Sequence, residues 1–354
     1  MEHLWKQNLR QIEPYVPGEQ SSDPDRIKLN ANENPYPPAP GVEAVLRSYD
    51  PAALCLYPDA NARLLKASIA RHYGVAPEQV FVGNGSDDVL ALAFQSFFNS
   101  DKPIAFPDIT YSFYPVWCRL FHIPFVTHPL TADFRMDPAD YAAPNGGVVL
   151  PNPNAPTSIG EDLPFVQALL EGNRDAVVII DEAYADFGGV SAVPLLADYP
   201  NLLVCGTFSK SRSLAGLRLG FAIGSAELIR VLEAVKNSYN SYTVDNLSLL
   251  CGAAAMDDEA YFAKTTAAVI TTRERVRRAL EQMGFSVLPS RTNFLFATKD
   301  GASMRDLFLY LKQRHIYIRY FDLPRIDNYV RITIGTDAQM DAFLQGTEAF
   351  LRGE

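Results

Sequence analysis

Val177-Val178-Ile179-Ile180-Asp181-Glu182-Ala183-Tyr184 is the stretch on which the fold turns. Four consecutive β-branched residues suit a strand buried on both faces, as in a parallel sheet covered by helices, and a carboxylate directly after them stands where such sheets place ligands. Similar short apolar runs lie on either side: Val80-Phe81-Val82, Ile104-Ala105-Phe106, Val148-Val149-Leu150, Leu202-Leu203-Val204 and Phe221-Ala222-Ile223. Helix-like spacing lies among them, for example Leu65, Ile69 and Tyr73 at steps of four. Strand and helix in alternation predict an α/β domain with a mainly parallel sheet flanked by helices.

After about Asp245 the pattern changes. A long amphipathic segment places Val269, Val276, Leu280 and Met283 on one stripe and Arg273, Arg275, Arg277 and Arg278 largely off it, which reads as a solvated basic helix face. Strand-like pieces follow at Asn293–Phe296, Ile316–Arg319 and Tyr329–Ile334, with a helix carrying Leu307 and Leu311 between the first two, so a smaller α+β domain is expected. Residues 1–29, with Pro14, Pro17, Gly18 and Pro24, read as a short helix and an extended arm packing with the small domain. The division is thus an arm over 1–29, a large domain over 30–245 and a small one over 246–354.

Composition narrows the function. With 354 residues, 48% hydrophobic and 20% charged, the chain is globular and longer than one core usually organises. Its 41 acidic against 31 basic residues give a formal net charge of −10, a field that repels nucleic acid and anionic membrane but leaves room for a small anion held by local positive charge. Cys55, Cys118, Cys205 and Cys251 are scattered with no C-x-x-C pair and read as buried thiols in a reducing compartment. The N-terminal residues lack a signal-peptide pattern and no apolar run approaches the ~18 residues that span a bilayer, so a cytoplasmic protein is expected.

The 177–184 stretch would also suit the magnesium-binding strand of a P-loop nucleotidase. No G-x-x-x-x-G-K-[ST] loop accompanies it, and G-x-G-x-x-G, H-E-x-x-H and G-x-S-x-G are missing too. Five scattered histidines give a protein metal site or histidine triad little support.

What remains suits a phosphorylated aromatic aldehyde cofactor. Gly83-Asn84-Gly85-Ser86-Asp87-Asp88 joins a strand to an apolar helix; bare glycine backbone and a helix start favour a phosphate, though the segment alone also reads as a plain turn. Asp181 is placed to pair with a protonated pyridine nitrogen and keep the ring an electron sink, and Tyr184 to bond a ring hydroxyl; singly, Asp181 also reads as a helix N-cap. Lys210, in Thr207-Phe208-Ser209-Lys210, is placed to form a Schiff base and, once freed, to move a proton at the substrate α-carbon. Thr207 and Ser209 bring hydroxyls and Arg218 a bidentate cation for the phosphate.

These segments, with Leu29-Asn30-Ala31-Asn32-Glu33-Asn34-Pro35-Tyr36, Tyr57-Pro58-Asp59 and Thr110-Tyr111-Ser112, resemble nearly end to end the pyridoxal-phosphate-dependent aminotransferases of fold type I, class I/II, and among them the histidinol-phosphate aminotransferases. The resemblance implies pyridoxal 5'-phosphate joined to Lys210, with Asp181 at the ring nitrogen, Tyr184 at the ring hydroxyl and Tyr111 on the ring face. Gly85, Ser86, Asp87, Ser209 and Arg218 would surround the phosphate. It further implies a homodimer in which Tyr57, otherwise an ordinary turn aromatic, reaches the neighbouring subunit's cofactor.

One segment departs from the family's N-P-N-N-P-T-G: here Asn152-Pro153-Asn154-Ala155-Pro156-Thr157-Ser158 puts Ala155 where an asparagine usually meets the ring hydroxyl, and Ser158 in place of glycine. The contact is then either lost, with a change in cofactor affinity or tuning, or taken over by Asn152 or Asn154. On the substrate side, alternation in Tyr329–Ile334 turns Arg331 away from Val330, Ile332 and Ile334, and Arg319 shares a face with Tyr317; each arginine alone reads as solvated surface. By resemblance Arg331 holds a substrate carboxylate, Arg319 and Tyr15 assist with a substrate phosphate, and Asn32 lies at the substrate site. The implied reaction takes the amino group of L-histidinol phosphate to 2-oxoglutarate. Relatives acting on aromatic amino acids, threonine-phosphate decarboxylases and a non-catalytic cofactor-binding protein are the alternatives.

Overall fold

The computed structural model describes residues 4–16, 18–19, 22–142 and 144–354; Pro17 and Met1 to His3 of the arm lie outside them. After the arm come β1 (Ile27–Lys28), α1 (Pro40–Ser48), α2 (Arg63–Tyr73), β2 (Val80–Gly83), α3 (Ser86–Phe97), β3 (Ile104–Pro107), α4 (Tyr114–Phe121), β4 (Phe125–His128), β5 (Gly147–Pro151) and α5 (Leu163–Glu171). The chain continues through β6 (Val178–Asp181), β7 (Leu202–Thr207), β8 (Gly220–Gly224), α6 (Ala226–Tyr239) and α7 (Asn246–Asp257). Then follow α8 (Glu259–Gln282), β9 (Ser286–Val287), β10 (Phe294–Thr298), α9 (Met304–Gln313), β11 (Ile316–Tyr317), β12 (Arg319–Tyr320), β13 (Val330–Thr333) and α10 (Asp337–Arg352).

The large sheet has the order β2-β8-β7-β6-β5-β3-β4, with β8 alone antiparallel to its neighbours. Its central strands are apolar throughout because both faces are covered. Val148, Leu150, Val178, Ile180, Leu202 and Val204 join one core, and Val149, Ile179, Leu203 and Cys205 the other. The carboxyl ends of β2, β5, β6 and β7 therefore share one edge, where Gly83, Pro151, Asp181 and Thr207 emerge.

A second sheet, β12-β13-β10-β9, carries a core of its own with Val276, Leu295, Leu307, Val330 and Ile332. Packing divides one helix later than the change of pattern at 245: α7 lies on α1 and α2, and its Leu249, Cys251 and Met256 belong to the large core. The strand expected over Ile316–Arg319 is two pieces, β11 pairing in parallel with β1 and β12 pairing with β13. The arm thus ends in a strand the sequence did not announce.

Two further expectations are corrected. Arg273 is no solvated base: it is 5% exposed and its guanidinium donates to the carbonyls of Phe187 and Thr292, both at 2.8 Å, tying α8 to the segment after β6. Cys55 is exposed; the other three thiols are buried. Among the described residues no helix is long and apolar enough to cross a membrane.

Candidate active site

A cavity of about 400 Å³ opens over the shared strand edge, with walls from both sheets. Its floor is the turn from β2 into α3. Gly85 there has φ +86°, a conformation glycine alone adopts without strain, and a Cβ on it would stand 2.6 Å from an Arg218 nitrogen. A Cβ on Gly220 would stand 2.4 Å from the Gly85 backbone, so β8 approaches the turn this closely only because Gly220 lacks a side chain. No side chain caps α3, which leaves its first-turn N–H groups and positive dipole end for an anion. Ser86 and Asp87 of that turn, Thr207 at the end of β7, Ser209 just after it, and Arg218 all line the cavity. Arg218 pairs with Asp87 at 3.3 Å, and Asp87 also accepts from the Tyr111 hydroxyl at 2.8 Å.

Asp181 ends β6 at the cavity, 5% exposed. It accepts from the Tyr114 hydroxyl at 3.0 Å and the Ala183 N–H at 3.1 Å, and among the described residues no cation pairs with it. Burial pushes its carboxyl up to about 6, against the pull of those two hydrogen bonds. A buried carboxylate facing a cavity without a counter-cation is the partner a protonated ring nitrogen requires.

Lys210 lines the same cavity from the loop after β7. Its Nζ donates to the Ala31 carbonyl at 3.2 Å and lies 5.8 Å from the centre of the Tyr184 ring. Burial, and then the charge of Arg331, lower its ammonium from 10.5 to about 8, partly offset by Glu33 and Asp87. Its backbone is fastened: Asn34 Nδ2 donates to the Lys210 and Ser211 carbonyls at 3.0 and 3.2 Å, and buried Arg212 donates to the Ala255 carbonyl at 2.9 Å.

The second sheet brings cations to the cavity. Arg331 of β13 and Arg319 of β12 line the cavity with Tyr15, which stacks on Phe113 at 4.3 Å. Arg331 is no surface residue: one Nη donates to the Asn30 carbonyl at 2.8 Å, its charge lies 5.3 Å over the Phe294 ring, and its buried Nε has no partner. An orphaned guanidinium donor beside a cavity suits a carboxylate. Asn32 also lines the cavity and donates to the Tyr184 hydroxyl at 3.0 Å.

Four candidates do not reach the cavity lining. Gly85 lies beneath it as backbone. Asn152 exchanges two hydrogen bonds with the Glu161 backbone, 3.1 and 2.8 Å, and Asn154 bonds Thr110, Ile109 and Thr157; both amides hold loops, and Ala155 with Pro156 lines the cavity in their stead. The expectation that either takes over the ring-hydroxyl contact is corrected accordingly. Tyr57 stands 81% exposed, stacked on Tyr242 at 4.6 Å. Sequence reading missed Tyr114 and Glu33. Nothing marks Tyr114 as a partner of a residue 67 positions on, whereas Glu33 sits inside a stretch already singled out.

Residues 24–346 match the model of aminotransferase class I and II. The chain belongs to this aminotransferase family. Its full-length relatives include histidinol-phosphate aminotransferases of Chromohalobacter salexigens, 52% identical over 352 residues (99% of this chain, 100% of the relative), and Dechloromonas aromatica, 52% identical over 346 residues (97% of each). The solved histidinol-phosphate aminotransferase of Sinorhizobium meliloti in complex with pyridoxal-5'-phosphate is similar with a TM-score of 0.82 at 26% identity, covering 92% of this chain and 90% of that one. The aminotransferase's cofactor is pyridoxal 5'-phosphate, and the glycine floor, the cation-free Asp181 and the depressed Lys210 amine fit its phosphate, ring nitrogen and aldehyde respectively.

Proposed function

We propose that this aminotransferase transfers the amino group of L-histidinol phosphate to 2-oxoglutarate, giving imidazole acetol phosphate and L-glutamate. The observation that carries the reading is a cavity lined by two sets of arginines on different elements, Arg218, paired with Asp87 at the α3 start, and Arg331 with Arg319 on the second sheet. The first serves the cofactor phosphate; the second accepts the phosphate of the donor in one half-reaction and a carboxylate of the oxo acid in the other. The names of the full-length relatives agree with it.

The cofactor supplies an aldehyde and an electron-withdrawing ring. With the cofactor bound, Asp181 would hold a proton at the ring nitrogen, Tyr184 would donate to the ring hydroxyl oxygen, and Tyr111 would lie against the ring. Lys210 Nζ, lining the same cavity, would be the base that takes and returns the proton of the substrate α-carbon. Its lowered pKa makes it a neutral base near pH 8, so capture of added cofactor by the apoprotein is expected to rise in rate through about pH 8. A rate still climbing toward the ordinary 10.5 would contradict that.

Exposed Leu54 and Leu56 neighbour Tyr57 in the chain, Tyr57 stacks on Tyr242, and exposed Tyr239 lies three residues before Tyr242; these exposed apolar side chains support a homodimer in which Tyr57 reaches its neighbour's cofactor phosphate. A biosynthetic role on a phosphorylated intermediate goes with the cytoplasm.

The test offers histidinol phosphate, aromatic amino acids and threonine phosphate separately to the loaded enzyme and follows loss of the aldehyde-form absorbance. Conversion by histidinol phosphate is expected; conversion by aromatic amino acids alone, or carbon dioxide release from threonine phosphate, replaces the reading. Arg331→Ala is expected to lower kcat/KM by about 10²-fold for both histidinol phosphate and 2-oxoglutarate, mostly through KM, since charge-assisted bonds are lost. Unchanged KM values remove Arg331 from the substrate site.

A further inference from the structure

Which part of its hydroxyl Tyr184 shows the cavity is set by hydrogen bonds that start from a donor unable to turn. The backbone N–H of Asn32 donates to Thr333 Oγ1 at 3.0 Å, and the Thr333 hydroxyl in turn donates to Asn32 Oδ1 at 3.0 Å. That orients the amide, so Asn32 Nδ2 donates to the Tyr184 oxygen at 3.0 Å. The phenol oxygen is an acceptor within the protein, and its own hydrogen is left for the cavity.

The arrangement is held rigidly. Asn32 is 1% and Thr333 2% exposed, and Asn32 sits at φ +55°, a left-handed conformation asparagine tolerates. Asn293 Nδ2 donates to the Asn32 carbonyl at 3.0 Å, and the Thr333 N–H donates to the Leu29 carbonyl at 3.0 Å. Ala155 lines the same cavity and brings no hydrogen-bonding side chain, which leaves more to Tyr184.

We propose that Thr333 and Asn32 form a polarity lock that makes Tyr184 an obligatory hydrogen donor to the ring hydroxyl oxygen of the cofactor. Thr333 acts through Asn32 and is a positioning residue. Without its hydroxyl the amide is free to flip and present Oδ1; Tyr184 then turns its hydrogen to Asn32 and its lone pairs to the cofactor oxygen. That oxygen keeps more negative charge and holds the proton of the lysine–cofactor linkage more firmly, so the linkage titrates at higher pH. The charged groups facing Tyr184, namely Arg331, Asp181, Asp87 and Lys210, are unchanged by the substitution at 333.

The inference rests on the cofactor reading above, and the test separates the two. Visible absorbance of the loaded enzyme is titrated against pH for wild type, Thr333→Val, Thr333→Ser and Tyr184→Phe. Thr333→Val, nearly equal in shape, is expected to move the midpoint up by about one pH unit toward Tyr184→Phe, the size of one hydrogen bond to a charged group, while Thr333→Ser stays with wild type. If Thr333→Val does not fold, Asn32→Asp, which offers Tyr184 an ionised acceptor, is expected to move it the same way. A wild-type midpoint in the folded variant, with Tyr184→Phe shifted, overturns the lock. A wild type with no lysine-linked absorbance overturns the cofactor reading instead.

Discussion

Lys210→Ala is expected to reduce transamination by at least about 10⁴-fold, because one amine performs two tasks and the other lysine lining the cavity, Lys28, is engaged by the Glu33 carboxylate at 2.7 Å. The guanidinium groups of Arg331, Arg319 and Arg218 offer hydrogen-bond donors and no acceptor, so they are no bases. Tyr184 and Tyr111 are buried phenols whose pKa values are raised, first by burial, so neither ionises readily. The alanine protein still folds around the glycine floor and should retain weak cofactor binding through Ser209, Arg218 and the α3 start. Borohydride treatment followed by peptide mass analysis is the check: wild type acquires the cofactor mass on the peptide holding residue 210, and the variant does not. Turnover in the variant, or a label on another lysine, would remove Lys210 from its role.

Asp181→Asn is expected to slow kcat by about 10³-fold while changing cofactor affinity far less. The amide keeps the shape and can still bond the Tyr114 hydroxyl, but carries no charge to hold a proton on the ring nitrogen. Without the ring the carboxylate is ionised above about 6, and a cationic ring against it lowers that value, so the acid limb of the loaded enzyme's rate is expected below pH 6. The sign follows from the partner: a cation beside the carboxylate stabilises its charged form. Equal losses in kcat and binding would contradict the electronic role.

Much of this was legible in residue order. Runs such as Val177–Ile180 are apolar at every position because helices cover both sheet faces, and strand ends then locate Asp181 and Lys210. The pattern was weaker wherever meaning depended on a distant partner. Arg331 and Arg273 look like surface bases in a strand and a helix, and only the packing of two units turns them inward. Asn152 and Asn154 carry the right chemistry, yet their amides are already spent on the Glu161 backbone and on Thr110, Ile109 and Thr157. Short strands such as β1 have no periodicity to read at two residues.

The stretch from Leu29 to Asn34 precedes the large sheet in the chain but is sewn to both units: Thr333 and Asn293 grip it from one side, the Lys210–Ser211 backbone from the other. A cut between α7 and α8 would therefore not yield two self-sufficient halves. The ribbon that finishes each pocket wall is shared property, and a split version of this catalyst should regain activity only when the two fragments reunite.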